Sequence, residues 1–286
     1  MRLSPMLAAG LAAIAAATAV ADGKPAPFPF FAYCIDTHDS RHRTLPEQAA
    51  MLKELGFDGM GHLWLDNIPE RLETLDAAGL KLFQITIRVN LAAEKDPFDP
   101  KIREVLPLLK GRDVQICPLL EGLPASDAAG DEKAVQVIRE LADMAGKSGA
   151  KIVLYPHVNN WLERVEDALR ILPKIDRPNV GVMFNLCHWL AVDKEENLKP
   201  LLKAAMPHLW AVSINGADGA EAIHAKTGNW LQPLDSGTFN VGALLTTLKE
   251  LGYKGPVGLQ CWGIEGDAKD HLIRSMNAWK KLTAGL

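Results

Sequence analysis

Val180-Gly181-Val182-Met183-Phe184-Asn185-Leu186-Cys187-His188-Trp189 is an apolar run that ends abruptly in an amide and an imidazole. Pro178 and Asn179 punctuate its start, and Val180 to Phe184 are apolar without alternation, which suits a strand of a parallel sheet covered on both faces. Asn185 and His188 then fall in a loop just past the strand's carboxyl end. In parallel α/β folds that end is where ligands bind, so the two polar groups are candidate site residues. The alternative is an Asn that caps a turn beside a solvated His.

The same unit repeats on both sides of this stretch. Phe28 to Ile35 reads as a first strand, and Thr44-Leu45-Pro46-Glu47 opens a helix through a capping box that ends at Gly56, with Leu52 and Leu55 on its apolar face. Phe57 to Leu63 is a second strand, Asn67 to Ala78 a helix with Ile68, Leu72 and Leu75 at helical spacing, and Leu80 to Val89 a third strand. Ile102, Val105, Leu106 and Leu109 mark a third helix. Val114 to Leu120 is a fourth strand with Glu121 at its tip, followed by a helix from Asp131 to Lys147. Lys151 to Tyr155 is a fifth strand, and its helix runs from about Trp161 to Leu172.

After the sixth strand come a helix from Glu195 to Ala205, a strand from Leu209 to Ile214 and a polar loop from Asn215 to Gly237. A helix from Val241 to Leu251, a strand from Pro256 to Cys261 and a helix from Ala268 to Leu282 complete eight strand-helix pairs. This alternation predicts an α/β fold, a (β/α)8 TIM barrel. A doubly wound open sheet is the alternative, but neither G-x-G-x-x-G nor G-x-x-x-x-G-K-[ST] follows the first strand.

Arg2, the apolar segment Met6 to Ala17 and the small-x-small pattern Ala19-Val20-Ala21 predict a signal peptide over residues 1–21 and export to the periplasm or beyond. Residues 22–286 then form a single barrel domain, and no later segment approaches the roughly 20 apolar residues of a spanning helix. Loss of Arg2 takes the formal charge from −4 to −5, an acidic balance that disfavours nucleic acid as a partner. The four cysteines, Cys34, Cys117, Cys187 and Cys261, have no metal-cluster spacing and read as buried free thiols. Cys34 and Cys261 could pair if the first and last strands are neighbours.

A barrel gathers the strand ends into one rim, here carrying Asp36, His38, His62, Asn90, Glu121, Tyr155, His157, Asn185, His188, Asn215 and Gln260. Amides together with Trp64, Trp161, Trp189, Trp230 and Trp262 suit a small carbohydrate, since amides match hydroxyls and aromatic faces cover the apolar faces of a pyranose. Packing between helices and barrel is the competing role for each tryptophan.

Tyr155-Pro156-His157, Phe184-Asn185-Leu186-Cys187-His188, Val212-Ser213-Ile214-Asn215 and Gly258-Leu259-Gln260 fall on four successive strand ends. With these motifs the mature chain resembles the xylose isomerase-like TIM barrel superfamily, which includes sugar isomerases and epimerases and the endonuclease IV type of repair enzyme. The likeness extends to Gln232-Pro233-Leu234 and Gly252-Tyr253-Lys254-Gly255-Pro256, and is closest to an exported bacterial subgroup labelled sugar phosphate isomerase/epimerase-like. The resemblance implies one divalent metal held by a Glu, an Asp, a His and a Glu from strands five to eight, the two Glu also moving the proton. Tyr155, Asn185, Ser213 and Gln260 stand at those positions.

Hard cations need carboxylate oxygens, so no cofactor is expected and any divalent metal would be held only weakly. Neither Asn nor Gln can act as a general base. His157 and His188 therefore become the expected catalytic pair, with Glu121 as an orienter or acid. Tyr155, Asn185, Asn215, Gln260, His62 and Trp189 are the expected substrate-binding residues. The predicted function is a carbohydrate isomerase, epimerase or lyase acting on a sugar or keto-sugar. A non-catalytic sugar-binding barrel is the alternative.

Overall fold

The computed structural model describes residues 27–286, so the expected leader lies outside the described residues. Eight parallel strands close on themselves in chain order: β1 (Phe30–Tyr33), β2 (Gly59–Leu63), β3 (Lys81–Asn90), β4 (Gln115–Glu121), β5 (Lys151–Leu154), β6 (Val180–Asn185), β7 (Leu209–Ile214) and β8 (Val257–Gln260). The seam joins β1 to β8 in a register running from Phe30 opposite Val257 to Tyr33 opposite Gln260. The helices are α1 (Leu45–Leu55), α2 (Ile68–Ala78), α3 (Ile102–Val105), α4 (Asp131–Gly146), α5 (Val165–Ile175), α6 (Leu186–Val192), α7 (Leu198–Ala205), α8 (Ala220–His224), α9 (Val241–Glu250) and α10 (Ala268–Thr283). Among the described residues no helix is long and apolar enough to cross a membrane. The expected TIM barrel is the observed fold.

Strand periodicity divides the core into two layers, because successive side chains point to opposite faces. Phe31, Tyr33, Cys117, Leu119, Val153, Tyr155, Met183 and Ala211 pack inside the barrel, whereas Phe30, Met60, Ile116, Ile152, Val182 and Leu259 pack outward under the helices. The interior is crowded, and a Cβ on Gly61 would lie 2.3 Å from the Tyr33 ring. That close approach explains a glycine within β2.

The expected capping box opens α1: the Glu47 carboxylate accepts from the backbone N–H and the hydroxyl of Thr44, at 2.8 and 2.7 Å. Gly56 closes the helix at φ 86°, where its N–H reaches the Leu52 carbonyl. Three expected boundaries differ. The stretch after β6 is not a loop: Leu186 begins α6 directly, and Glu195–Asn197 is a single 3-10 turn ahead of α7. The helix after β5 starts at Val165 rather than Trp161, since Trp161 is fully buried and its Nε1–H donates to the Asp127 carbonyl at 2.8 Å. Cys34, at φ 57°, ends β1 two residues early.

Candidate functional site

A cavity of about 260 Å³ opens at the carboxyl ends of the strands. Its walls carry Tyr33 from β1, Thr86 and Arg88 from β3, Glu121 from β4, Tyr155 and His157 after β5, His188 from α6 and Gln260 from β8. Trp64, Trp230, Leu231 and Trp262 also line it. A wider bowl of 1110 Å³ at the other end is bounded by the turns that enter the strands, including Gly111, Gly149 and Gly255. In this architecture loops at the carboxyl ends carry chemistry and the opposite face carries stability, so the smaller cavity is the candidate site.

Tyr155 is its hub. The hydroxyl oxygen accepts Nδ2–H of Asn185 at 2.7 Å and Nε2–H of Gln260 at 3.2 Å. Gln260 is held in that orientation because its Oε1 accepts the backbone N–H of Trp262 at 3.1 Å. Asn185 lies below the cavity, 2% exposed, with its Oδ1 taking the Cys187 thiol. Burial pushes the Tyr155 phenol well above its ordinary value, so it keeps its proton at neutral pH. The nearest protein acceptor for that proton is His188 Nε2 at 3.5 Å, the outer limit of a hydrogen bond. The hydroxyl hydrogen is therefore free to donate a hydrogen bond to a ligand oxygen.

His157 and His188 lie ring against ring, with centroids 3.8 Å apart and planes tilted by 39°. His157 Nδ1 lies 2.8 Å from the Val158 carbonyl, which can only accept, so Nδ1 carries the proton and Nε2 holds the lone pair. Burial lowers the pKa of His157; the Val158 carbonyl opposes this, the Arg88 cation adds to it, and the Glu121 carboxylate opposes it. Burial holds His188 well below its ordinary value, with His157 adding to the effect, and its Nδ1 is buried without a partner. Both imidazoles are neutral at pH 7, the state required of a base.

Glu121 lies beside this pair but is bound elsewhere: Arg88 Nη1 donates to its Oε2 at 3.2 Å. The Arg88 guanidinium in turn covers the Trp64 ring, 4.7 Å from the centroid. Glu121 thus acts on His157 through its field rather than as a hydrogen-bonded orienter. An Arg88→Ala variant should raise the His157 pKa, followed through the imidazole proton shifts in an NMR titration, because a cation that depresses it is gone. Glu121→Gln should lower it. The two titration curves must shift in opposite directions.

Three of the expected binding residues point elsewhere. Gly61 and Leu63 face into the barrel, so His62 between them faces out; its Nε2 donates to the Asp66 carbonyl at 2.8 Å and its Nδ1 accepts from Arg71 Nε at 3.2 Å. Trp189 follows His188 on a helix, where one residue is a rotation of about 100°, and packs against Phe184 beneath the helix layer. Asn215 is fully buried and ties its loop together, with Nδ2 donating to the carbonyls of Gly216 and Trp230. His157, His188, Glu121, Tyr155 and Gln260 share the cavity, with Asn185 bonded to it from below.

Tyr33, Thr86, Arg88 and Asn160 also line the cavity, beyond the rim residues expected from the sequence. Thr86 and Arg88 carried a signal, since Gln84-Ile85-Thr86-Ile87-Arg88-Val89 alternates polar and apolar and so writes a polar inward stripe. Tyr33, hydrogen-bonded to Thr86, carried none, because it lies in an unbroken apolar run. Cys34 and Cys261 directly follow the neighbouring strands β1 and β8, yet both are buried free thiols, as are Cys117 and Cys187.

The family model described as xylose isomerase-like TIM barrel matches residues 49–282. A putative hydroxypyruvate isomerase of Xenopus laevis is 28% identical over 137 residues, 46% of this chain, and the match spans a little under half of that relative, 45% of its length. Among solved structures, a D-allulose 3-epimerase from Methylomonas sp. superposes with a TM-score of 0.71 at 15% identity, covering 90% of this chain and 99% of its own. A xylose isomerase-like TIM barrel protein from Mycobacterium smegmatis in complex with magnesium gives 0.67 at 17% identity, covering 90% and 97%. At these identities the structural likeness establishes the fold.

Proposed function

The chain belongs to the xylose isomerase-like TIM barrel family, and from that premise we propose that it is a keto-sugar isomerase whose own side chains move the proton, without the metal centre that the resemblance implies. The donor set does not fit a hard cation. Both amides turn their N–H ends toward the Tyr155 oxygen, Ser213 Oγ is buried without a partner, and no carboxylate stands at the four positions. Among the described residues no three His, Cys, Asp or Glu side chains gather into a metal-binding group. Magnesium or manganese would be dehydrated there without the anionic oxygens that compensate for it.

The observation that carries the reading is a neutral base set beside a neutral acid. His157 Nε2, its tautomer fixed by the Val158 carbonyl, takes the proton from the carbon next to the substrate carbonyl. Tyr155 gives its hydroxyl hydrogen to the carbonyl oxygen as charge develops, and the two amide N–H groups support the phenol oxygen it leaves. The enediol then takes the proton from His157 on the former carbonyl carbon, while the hydroxyl on the carbon first deprotonated passes its hydrogen to the Tyr155 oxygen and becomes the new carbonyl, so acid and base are both restored without a co-reactant.

Both imidazoles lie on one wall. Proton return to the same face favours isomerisation, since inversion at one carbon needs an acid on the opposite face. An elimination would begin with the same proton abstraction. The names of two relatives, an isomerase and a ketose epimerase, agree with chemistry next to a carbonyl.

The test is incubation of the mature protein with a panel of keto-sugars in EDTA, with the products resolved by chromatography. An aldose formed in EDTA is expected; epimers alone would overturn the one-wall assignment, and sugar binding without any product would favour the binding-protein alternative. The leader-like residues 1–21 support export, and N-terminal sequencing of the exported protein should begin at Asp22. Retention of Met1 would refute that part.

A further inference from the structure

Resting on the keto-sugar reading, we propose that the mouth of the cavity is a second carbohydrate subsite and that the substrate is a glycoside or disaccharide, its outer ring lying against Trp262 with Trp64 and Trp230 beside it. Four large apolar side chains are exposed among the described residues, Leu108, Trp230, Trp262 and Ile273, and two of them flank this one opening. Trp262 is 48% exposed and Trp230 38%. Exposed aromatic surface gathered beside a polar cavity marks a binding surface rather than leftover core.

Size separates the two subsites. The cavity volume of 260 Å³ falls below the roughly 300–1,000 Å³ of pockets that enclose drug-sized ligands, so it holds one sugar ring and leaves a second at the mouth. The three rings are held in place. Trp64 adopts φ 67°, a strained conformation for a bulky residue, and is kept there by its N–H on the Thr86 carbonyl at 2.9 Å. Arg88 covers one face of its ring. Trp230 is anchored through its carbonyl by Asn215 Nδ2 at 2.9 Å and meets His188 edge-on, with centroids 5.8 Å apart.

Trp262 has its backbone N–H on Gln260 and its ring edge-on to His38, 5.7 Å between centroids. Indole faces cover the C–H faces of a pyranose at small entropic cost, and the adjoining Arg88–Glu121 pair offers donors and acceptors to its hydroxyls. Packing alone would have buried these rings, as it buries Trp161 and Trp189.

The experiment is calorimetric titration of the intact mature protein with D-fructose and with two keto-terminated disaccharides, lactulose and isomaltulose. At least one disaccharide should bind roughly tenfold more tightly than D-fructose, as expected for one added aromatic contact. Trp262→Ala should remove most of that advantage and Trp262→Phe should keep part of it, with thermal melting checking that both variants are folded. D-fructose binding with no disaccharide preference, or a Trp262→Ala variant that weakens both classes equally, would overturn the outer subsite and leave the keto-sugar reading standing. Binding of none of the three sugars would sink both.

Discussion

Replacing His157 with Gln should lower kcat on the keto-sugar substrate by about 10²- to 10⁴-fold, the range over which a positioned general base contributes. Gln preserves much of the volume and a hydrogen-bonding side chain, so the cavity should survive, but an amide has no basic lone pair in the working pH range. KM should change little, because the lost interaction belongs to the transition state. His188→Gln should cost less. That imidazole is 7% exposed and braces His157 through a tilted ring contact, while its Nδ1 has no partner to lose. If His157→Gln retains wild-type kcat while His188→Gln abolishes it, the base has been assigned to the wrong ring.

The double variant Asn185→Asp with Gln260→Glu carries the second large effect. Asn185 and Gln260 are 2% and 3% exposed, and both donate to one phenol oxygen. Two carboxylates there lose those donors, and Tyr155 has a single hydrogen to offer in return. Uncompensated buried charge of this kind costs on the order of 3–5 kcal/mol, so the variant in EDTA should melt well below wild type at pH 7.

Burial raises the folded-state pKa of both carboxyls above their unfolded values. The deficit should therefore be small below about pH 4, where both states are protonated, and should grow as pH rises through the folded-state values. Mn²⁺ should restore stability, by about 2.7 kcal/mol when free metal is 100-fold above its Kd. An unchanged melting temperature in EDTA, with no response to Mn²⁺, would mean that these positions do not form a closed neutral hub around the Tyr155 hydroxyl. Wild type should show little response to the ion.

The barrel was legible because its signals are local and repeated: apolar strands, helical spacing, and glycine after several helices. Helix α6 was not, since seven residues from Leu186 to Val192 without a charge give no amphipathic contrast. Strand parity decides whether a rim residue enters the cavity, and it removes His62. The polar stripe of Thr86 and Arg88 was open to the same rule. The convergence of Asn185 and Gln260 on the Tyr155 hydroxyl was beyond any pattern in the chain, because it depends on side chains from three strand ends that are adjacent only once the barrel closes.

Deuterium exchange tests the central claim most directly. Protein treated with EDTA is incubated in D2O with a keto-sugar that it binds, and the C–H next to the carbonyl is followed by proton NMR. Wild type should lose that signal at a rate unchanged by the chelator, and His157→Gln should lose little of it. Exchange that stops on chelation and returns with added Mg²⁺ or Mn²⁺ would contradict the claim.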